Sequence, residues 1–383
     1  MKIGIPKEII ENEHRVAIVP NAVTTLVSVG IDVVVEANAG IDSFYTDDMY
    51  LSAGATIAET PSSLYESSTV YLKVQAPTIN ESLGKHEVDL MSNGSTLIAL
   101  LQPLTNLDLV KKLAAKNITS LSMDTIPRIA RAQSMDALSS QSSIAGYKAI
   151  LIAAGSIGRY FPMMMTAAGT YPPARGLVLG AGVAGLQAIA TGRRLGAIMQ
   201  AFDVRPSVKQ EVESLGAIFV GMTPDDIEVQ DSGGYAKELA DDTQKIEREL
   251  IHKHAIESDF IISTAMIPGR PAPVLITEDM VKNMKPGSII MDLAAETGGN
   301  CELTVPNEEV IKYGVTINGR LNLPSTMPNH ASQMYSKNIS ALLMHITNEQ
   351  ELSLDFEDTI TKGCCITYQG SVINMATKSL LDQ

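Results

Sequence analysis

The residues best suited to chemistry gather first in one stretch, 176–205, which reads GLVLGAGVAGLQAIATGRRLGAIMQAFDVR. Gly180, Gly182 and Gly185 stand in the spacing G-x-G-x-x-G, with an apolar run before them and a helical pattern opening at Val183 after them. That context is what a pyrophosphate cradle needs. The first glycine permits a tight turn, the second lets a phosphate approach the backbone, and the third lets the helix pack close on the strand. Unpaired N–H groups at the helix N-terminus then face the anion. A second strand pattern, 197–202, ends at Asp203, where a carboxylate can accept both hydroxyls of an adenosine ribose. Asp203 disfavours a 2′-phosphate and so points to NAD(H) over NADP(H), while Arg205 pulls the other way. The plain alternative is a packing turn in an α/β domain, with Asp203 as a strand-end cap.

A second concentration of polar groups lies at 124–143, DTIPRIARAQSMDALSSQSS. Arg128, Arg131, Gln133, Ser134, Asp136, Ser139 and Gln141 bring donors and acceptors close together, as a carboxamide such as nicotinamide's requires. The same run also reads as the capping run of a helix (SSQSS) carrying two surface arginines, and spacing alone does not choose. Arg15 and Lys73 are each embedded in apolar, extended surroundings, EHRVAIVP and YLKVQAP. A cation there can hold a carboxylate substrate, or simply snorkel from a strand end. The six histidines read as structural or solvated. Oxidising an amino or hydroxy acid needs a proton acceptor beside the hydride step, and none stands out. No Ser/His/Asp order, P-loop or metal-ligand spacing emerges.

The elements that must position these groups alternate between strand and helix along the whole chain. Strand patterns at 2–5, 32–36, 69–74, 95–101 and 118–122, with helices at 21–29 and 107–115, predict a first doubly wound domain without a glycine fingerprint. A long helical pattern from 144 to about 165 bridges to a second domain carrying the fingerprint. Its later units are strands at 259–264, 288–293 and 315–318 and a helix at 277–284. A Pro-rich crossing at 319–329 leads into a helix at 330–347 that returns to the first domain. The expected fold is therefore α/β: two Rossmann-like domains with a cleft between them, joined by long helices. The first is discontinuous, 1–143 and 328–383, and the second spans 144–327. Within the second, the stretch near 221–242 has little apolar content and carries Gly233, Gly234 and Tyr235. So long a run without a clear element is either a functional loop or a solvated acidic one.

Composition narrows the classes. A length of 383 residues exceeds one ordinary core. A formal charge of −14 supplies no basic stripe for nucleic acid or an anionic membrane. Three cysteines, two of them the neighbours Cys364 and Cys365, form neither a disulfide framework nor a metal pattern, which points to a reduced, intracellular protein. The start, MKIGIPKEI, enters a strand pattern directly, and the most apolar run, 149–158, is too short to span a bilayer.

The blocks RIARAQSMDALSSQSSIAGYKA, GAGVAGLQAIATGRRLGA, AFDVRP, GGYAKE, TAMIPGRPAPVLIT and MDLAAETGGNCELT, in this order, resemble the NAD(H)-binding subunit of proton-translocating NAD(P) transhydrogenases. The related alanine dehydrogenases share the fingerprint and counterparts of Arg15 and Lys73. They use a histidine acid/base after the strand following that lysine, where this chain reads STLIALLQPL. The resemblance implies that Gln133 meets the nicotinamide ribose and that Arg128, Asp136 and Ser139 surround the nicotinamide. It places Arg131, Ser134 and Met135 beside them. Asp203, Val204 and Arg205 match adenosine-side contacts, with Gly180, Gly182, Val183 and Gly185 as the phosphate turn. Gly234 and Tyr235 match the tip of a mobile loop, and Met266 stands where the family usually has Leu near the nucleotide. The family further implies direct hydride transfer from NADH to NADP⁺ held on a partner subunit, and a homodimer of this chain. Membrane-spanning and NADP(H)-binding subunits are expected on other polypeptides, with this one cytoplasmic and peripheral at the membrane. The competing readings are an alanine dehydrogenase-like enzyme and an NAD-sensing module without turnover.

Overall fold

The computed structural model describes residues 1–221, 241–267 and 269–382. Two compact units emerge, Met1–Gln141 with Ser325–Gln383, and Ser142–Pro324. In the first, the strands are β1 (Lys2–Ile5), β2 (Asp32–Glu36), β3 (Thr56–Ala58), β4 (Val70–Leu72), β5 (Thr96–Ala99) and β6 (Thr119–Ser122). At the centre of that sheet, β4 and β5 are short apolar runs buried on both faces, the pattern of strands covered by helices on either side. A 3₁₀ segment, Ala130–Met135, then leads into helix α1, Ala137–Ser156. That helix begins earlier than its apolar pattern suggests, because Asp136 caps it and the SSQSS run forms its first turns.

The second unit contains β7 (Arg175–Leu179), helix α2 (Val183–Arg194), β8 (Ile198–Phe202), β9 (Ile218–Phe219), helix α3 (Asp241–Ala255), β10 (Phe260–Ser263), β11 (Ile289–Asp292), β12 (Glu309–Lys312) and β13 (Val315–Asn318). Helix α4, Pro328–His345, and strands β14 (Cys365–Tyr368) and β15 (Ser371–Val372) complete the first unit.

The sheet orders are β15-β14-β6-β5-β4-β1-β2-β3 in the first unit and β9-β8-β7-β10-β11-β13-β12 in the second. Pairing is parallel except at β14, β15 and β12. Counted from its own first strand, the first unit holds the order 3-2-1-4-5-6 of a doubly wound sheet and the second holds 3-2-1-4-5-7-6, its sixth strand being an antiparallel edge, as expected of two Rossmann-like domains. In such sheets the strand order reverses beside the first strand, and a crevice opens at the carboxyl ends there. Those crevices lie between β1 and β4, and between β7 and β10. Tyr71, Leu72, Leu97 and Ile98 are buried in one unit, and Leu177, Val178, Phe260 and Ile261 in the other. Among the described residues no helix is long and apolar enough to cross a membrane.

Candidate functional site

The glycine turn follows β7 at the reversal point of the second unit. Gly180 takes φ +95°, and a Cβ there would meet Thr264 Oγ1 at 2.7 Å. A Cβ on Gly185 would lie 1.9 Å from the Gly180 carbonyl oxygen, so only glycine lets α2 pack this close to the turn. Gly182 differs: nothing lies within 4 Å of where its Cβ would be. Two of the glycines are thus demanded by the chain's own packing, while the third keeps a face of backbone open. Val183 at the helix start is 37% exposed. An open glycine at the head of a helix is the cradle a pyrophosphate fits.

The turn is held from both flanks. Thr264 Oγ1, after β10, donates to the Gly180 carbonyl at 2.9 Å. Asn300 is fully buried and braces the segment after Thr264, accepting from Ala265 N at 3.0 Å and donating to Ala265 O at 2.8 Å. From the other side Asp203 Oδ2 accepts from the Ala181 N–H at 2.7 Å. The Asp203 carboxylate also takes Arg205 N at 2.9 Å, Nε at 3.0 Å and Nη2 at 2.9 Å. Those bonds fill the roughly four lone-pair positions of a carboxylate. A further donor can therefore reach the Asp203 carboxylate only where the Arg205 guanidinium gives way. Val204 and Arg205 are part-buried beside it, and Met266 is 47% exposed. Gly234 and Tyr235, like the stretch 222–240, lie outside the described residues.

The other group of expected site residues belongs to the first unit. Ala132 and Met135 anchor the 3₁₀ segment in the core, leaving Gln133 and Ser134 exposed between them. Asn338 of α4 donates to the Ser134 carbonyl at 2.8 Å and fixes that segment. Asp136 accepts from Ser139 N at 2.9 Å and from Ser139 Oγ at 2.5 Å, the geometry of a helix N-cap. Arg128 is exposed. Arg131, also exposed, pairs with Asp358 at 2.7 Å, and that bond holds the Asp358 carboxyl well below its ordinary range.

Arg15 and Lys73, the cations that could meet a free carboxylate, are 3% and 0% exposed. Glu13 accepts from Arg15 N, Nε and Nη2 at 2.9, 2.7 and 2.5 Å and from Gln75 Nε2 at 2.8 Å. Burial alone would raise the Glu13 carboxyl, but Arg15 outweighs it and brings it down to about 2. Gln141, from the polar run, accepts from Arg15 Nη1 at 2.9 Å. Lys73 lies 2.9 Å from Glu87 and 3.2 Å from Glu8. Glu8 reaches across the β1–β4 crevice to accept from the Val74 N–H at 2.6 Å. Burial, against the pull of Lys73 and with the push of Glu13 and Glu87, raises the Glu8 carboxyl to about 7. The crevice of the first unit is therefore filled by its own ion pairs.

Sequence reasoning missed Thr264 and Asn300, which shape the glycine turn from a distance. A threonine directly after a buried strand was the only signal, and nothing local says which strand it adjoins.

A doubly wound unit with a bare glycine at its reversal point and a strand-end carboxylate defines the class: an α/β protein of Rossmann-like fold. The N- and C-terminal domain models of the alanine dehydrogenase/PNT family match residues 4–145 and 149–375. An NAD(P) transhydrogenase subunit alpha polypeptide of Rhodospirillum rubrum is 48% identical, over 98% of each chain. The crystal structure of a transhydrogenase from Sinorhizobium meliloti superposes with a TM-score of 0.87 at 41% identity, covering 97% of this chain and 100% of that one. An alanine dehydrogenase of Staphylococcus epidermidis is 31% identical, over 86% of this chain and 82% of its own. This chain belongs to the alanine dehydrogenase/PNT family, on its transhydrogenase subunit alpha branch.

Proposed function

We propose that this chain binds NAD(H) and presents it for direct hydride transfer to NADP⁺ held on a partner subunit. The observation carrying this reading is the open Gly182 between two sterically obligatory glycines, in a chain 48% identical to a transhydrogenase alpha subunit. The dinucleotide supplies the hydride chemistry. The protein's task is to bind, orient and keep water away. Gly182 and the head of α2 receive the pyrophosphate, and Asp203 takes the ribose hydroxyls once Arg205 yields. Gln133, exposed on its braced 3₁₀ segment, meets the nicotinamide ribose, while Arg128, Asp136 and Ser139 set which ring face is offered. Transfer between two nicotinamide rings consumes no substrate proton, so no general acid or base is required. Reacting carbons need only be held about 3–3.5 Å apart in a dry site.

The alanine dehydrogenase-like reading has less support. Arg15 and Lys73 are buried against carboxylates of the same unit, and a free carboxylate would have to displace them. The working assembly is read as a homodimer, peripheral to the membrane on the cytoplasmic side through NADP(H)-binding and membrane-spanning partners. The test mixes the chain with NADH and the NADP(H)-binding subunit of a transhydrogenase, and follows reduction of an oxidised nicotinamide analogue. Transfer is expected only when both proteins are present. Steady NADH oxidation by pyruvate and ammonia, with no partner, would overturn the assignment.

A further inference from the structure

Helix α3 precedes β10 and packs on the sheet through Ile251 and Ala255, which share a core with Leu179 and Phe202. As the crossover into a parallel strand it runs antiparallel to β8. One contact sets its register: His254 Nδ1 lies 3.0 Å from Gln200 Oε1. Glu247 is on the same helix face, two turns back, roughly 10.5 Å towards the carboxyl edge of the sheet. Asp203 is three residues beyond Gln200, roughly 10 Å towards that edge. The two spacings match, which brings Glu247 level with the carboxyl end of β8, near enough for the Asp203 charge to act on it. It is 6% exposed there, on a helix whose next buried turn is apolar.

We propose that Glu247 strengthens the nucleotide preference of this site: once a ribose diol has displaced the Arg205 guanidinium from Asp203, the Glu247 carboxylate adds a second negative charge that repels a 2′-phosphate. This rests on the reading of the site as dinucleotide-binding. Arg205 is otherwise the type of residue that welcomes a 2′-phosphate. Its guanidinium is forked on Asp203, and Glu211 also acts on it. The charges bearing on Glu247 are Arg248 on its own helix and Asp203 at the end of β8. Burial raises the Glu247 carboxyl to about 7; Arg248 opposes this and Asp203 adds to it. The repulsion is therefore weak below neutral pH and grows above it.

The test is fluorescence titration of the full chain with NADH and with NADPH at about pH 6 and about pH 8, bracketing that carboxyl. The wild-type preference for NADH should widen at the higher pH. Glu247→Gln, or Glu247→Ala as a second neutral replacement, should improve NADPH affinity relative to NADH by about tenfold, and most at the higher pH. Glu247→Asp, which keeps the charge, should retain the preference. An unchanged NADH/NADPH ratio in both neutral variants would overturn the assignment of Glu247 alone. Failure of the wild-type chain to bind either nucleotide would instead sink the dinucleotide-binding reading.

Discussion

Asp203 accepts a hydrogen bond from the Ala181 N–H at 2.7 Å, so the carboxylate ending one strand holds shut the glycine turn that ends its neighbour. Registering Leu179 opposite Phe202 brings the two together. The same carboxylate is forked by Arg205. Asp203 is thus both a ligand candidate and a brace, and its replacement should show in both roles. Asp203→Asn should lower stability by about 1–3 kcal/mol, measured by denaturant unfolding, and weaken NADH binding in fluorescence titration. Loss of stability with unaltered NADH affinity would leave it only the brace.

The glycines separate by the same logic. Gly182→Ala adds a methyl where nothing lies within 4 Å, at a φ of −80° that alanine accepts. Its melting temperature should stay level or rise slightly, because alanine restricts the unfolded chain. Its NADH affinity should fall at least tenfold, since that open face is the one proposed to receive the pyrophosphate. Gly185→Ala drives a Cβ into the Gly180 carbonyl and should destabilise by about 1–3 kcal/mol or more. Calorimetry of both variants, alongside nucleotide titration, distinguishes an open cradle from an ordinary packed turn.

Gln133 is exposed on a 3₁₀ segment pinned by Met135 and Asn338, and no core contact depends on its side chain. Gln133→Ala should therefore leave stability within about 0.5 kcal/mol. It should slow hydride transfer far more than it weakens NADH binding. Single-turnover rates and equilibrium titration, run together, check this, and equal losses in both would contradict an orienting role.

Glu8 makes stability depend on pH in an identifiable window. Its carboxyl is raised by burial from an ordinary 4.5 to about 7, so the folded chain holds this proton more tightly than the unfolded one. Its contribution is complete below about pH 4.5 and declines as pH rises through 7. Glu8→Gln should remove that decline, becoming the more stable form, relative to wild type, as pH passes from about 5 to about 8. Urea unfolding across this range reads the difference. Parallel pH curves for the two proteins would mean that Glu8 carries no proton of consequence.

How much of this was legible in the residue order follows from how far each cause reaches. The glycine spacing and the apolar strand runs depend on local backbone needs and on period, and those are written along the chain. The sequence alone determined two doubly wound domains, with a glycine turn at Gly180–Gly185 and an acidic strand end at Asp203. It also carried the capping reading of the run that includes Ser139 as one of two open alternatives; a few neighbouring positions were enough to suggest it.

Only the tertiary structure decided which charges are already spoken for. Arg15 meets Gln141, Lys73 meets Glu87, and Asp203 meets Ala181 through packing and sheet register, not through neighbourhood in the chain. Burial then sets the sign of each consequence: a cation that could hold a substrate becomes the core of an ion pair, and Glu247 on a charged helix is buried within reach of the Asp203 charge. Desolvation and Coulomb energy depend on distance in space, and a sequence states distance only along the chain.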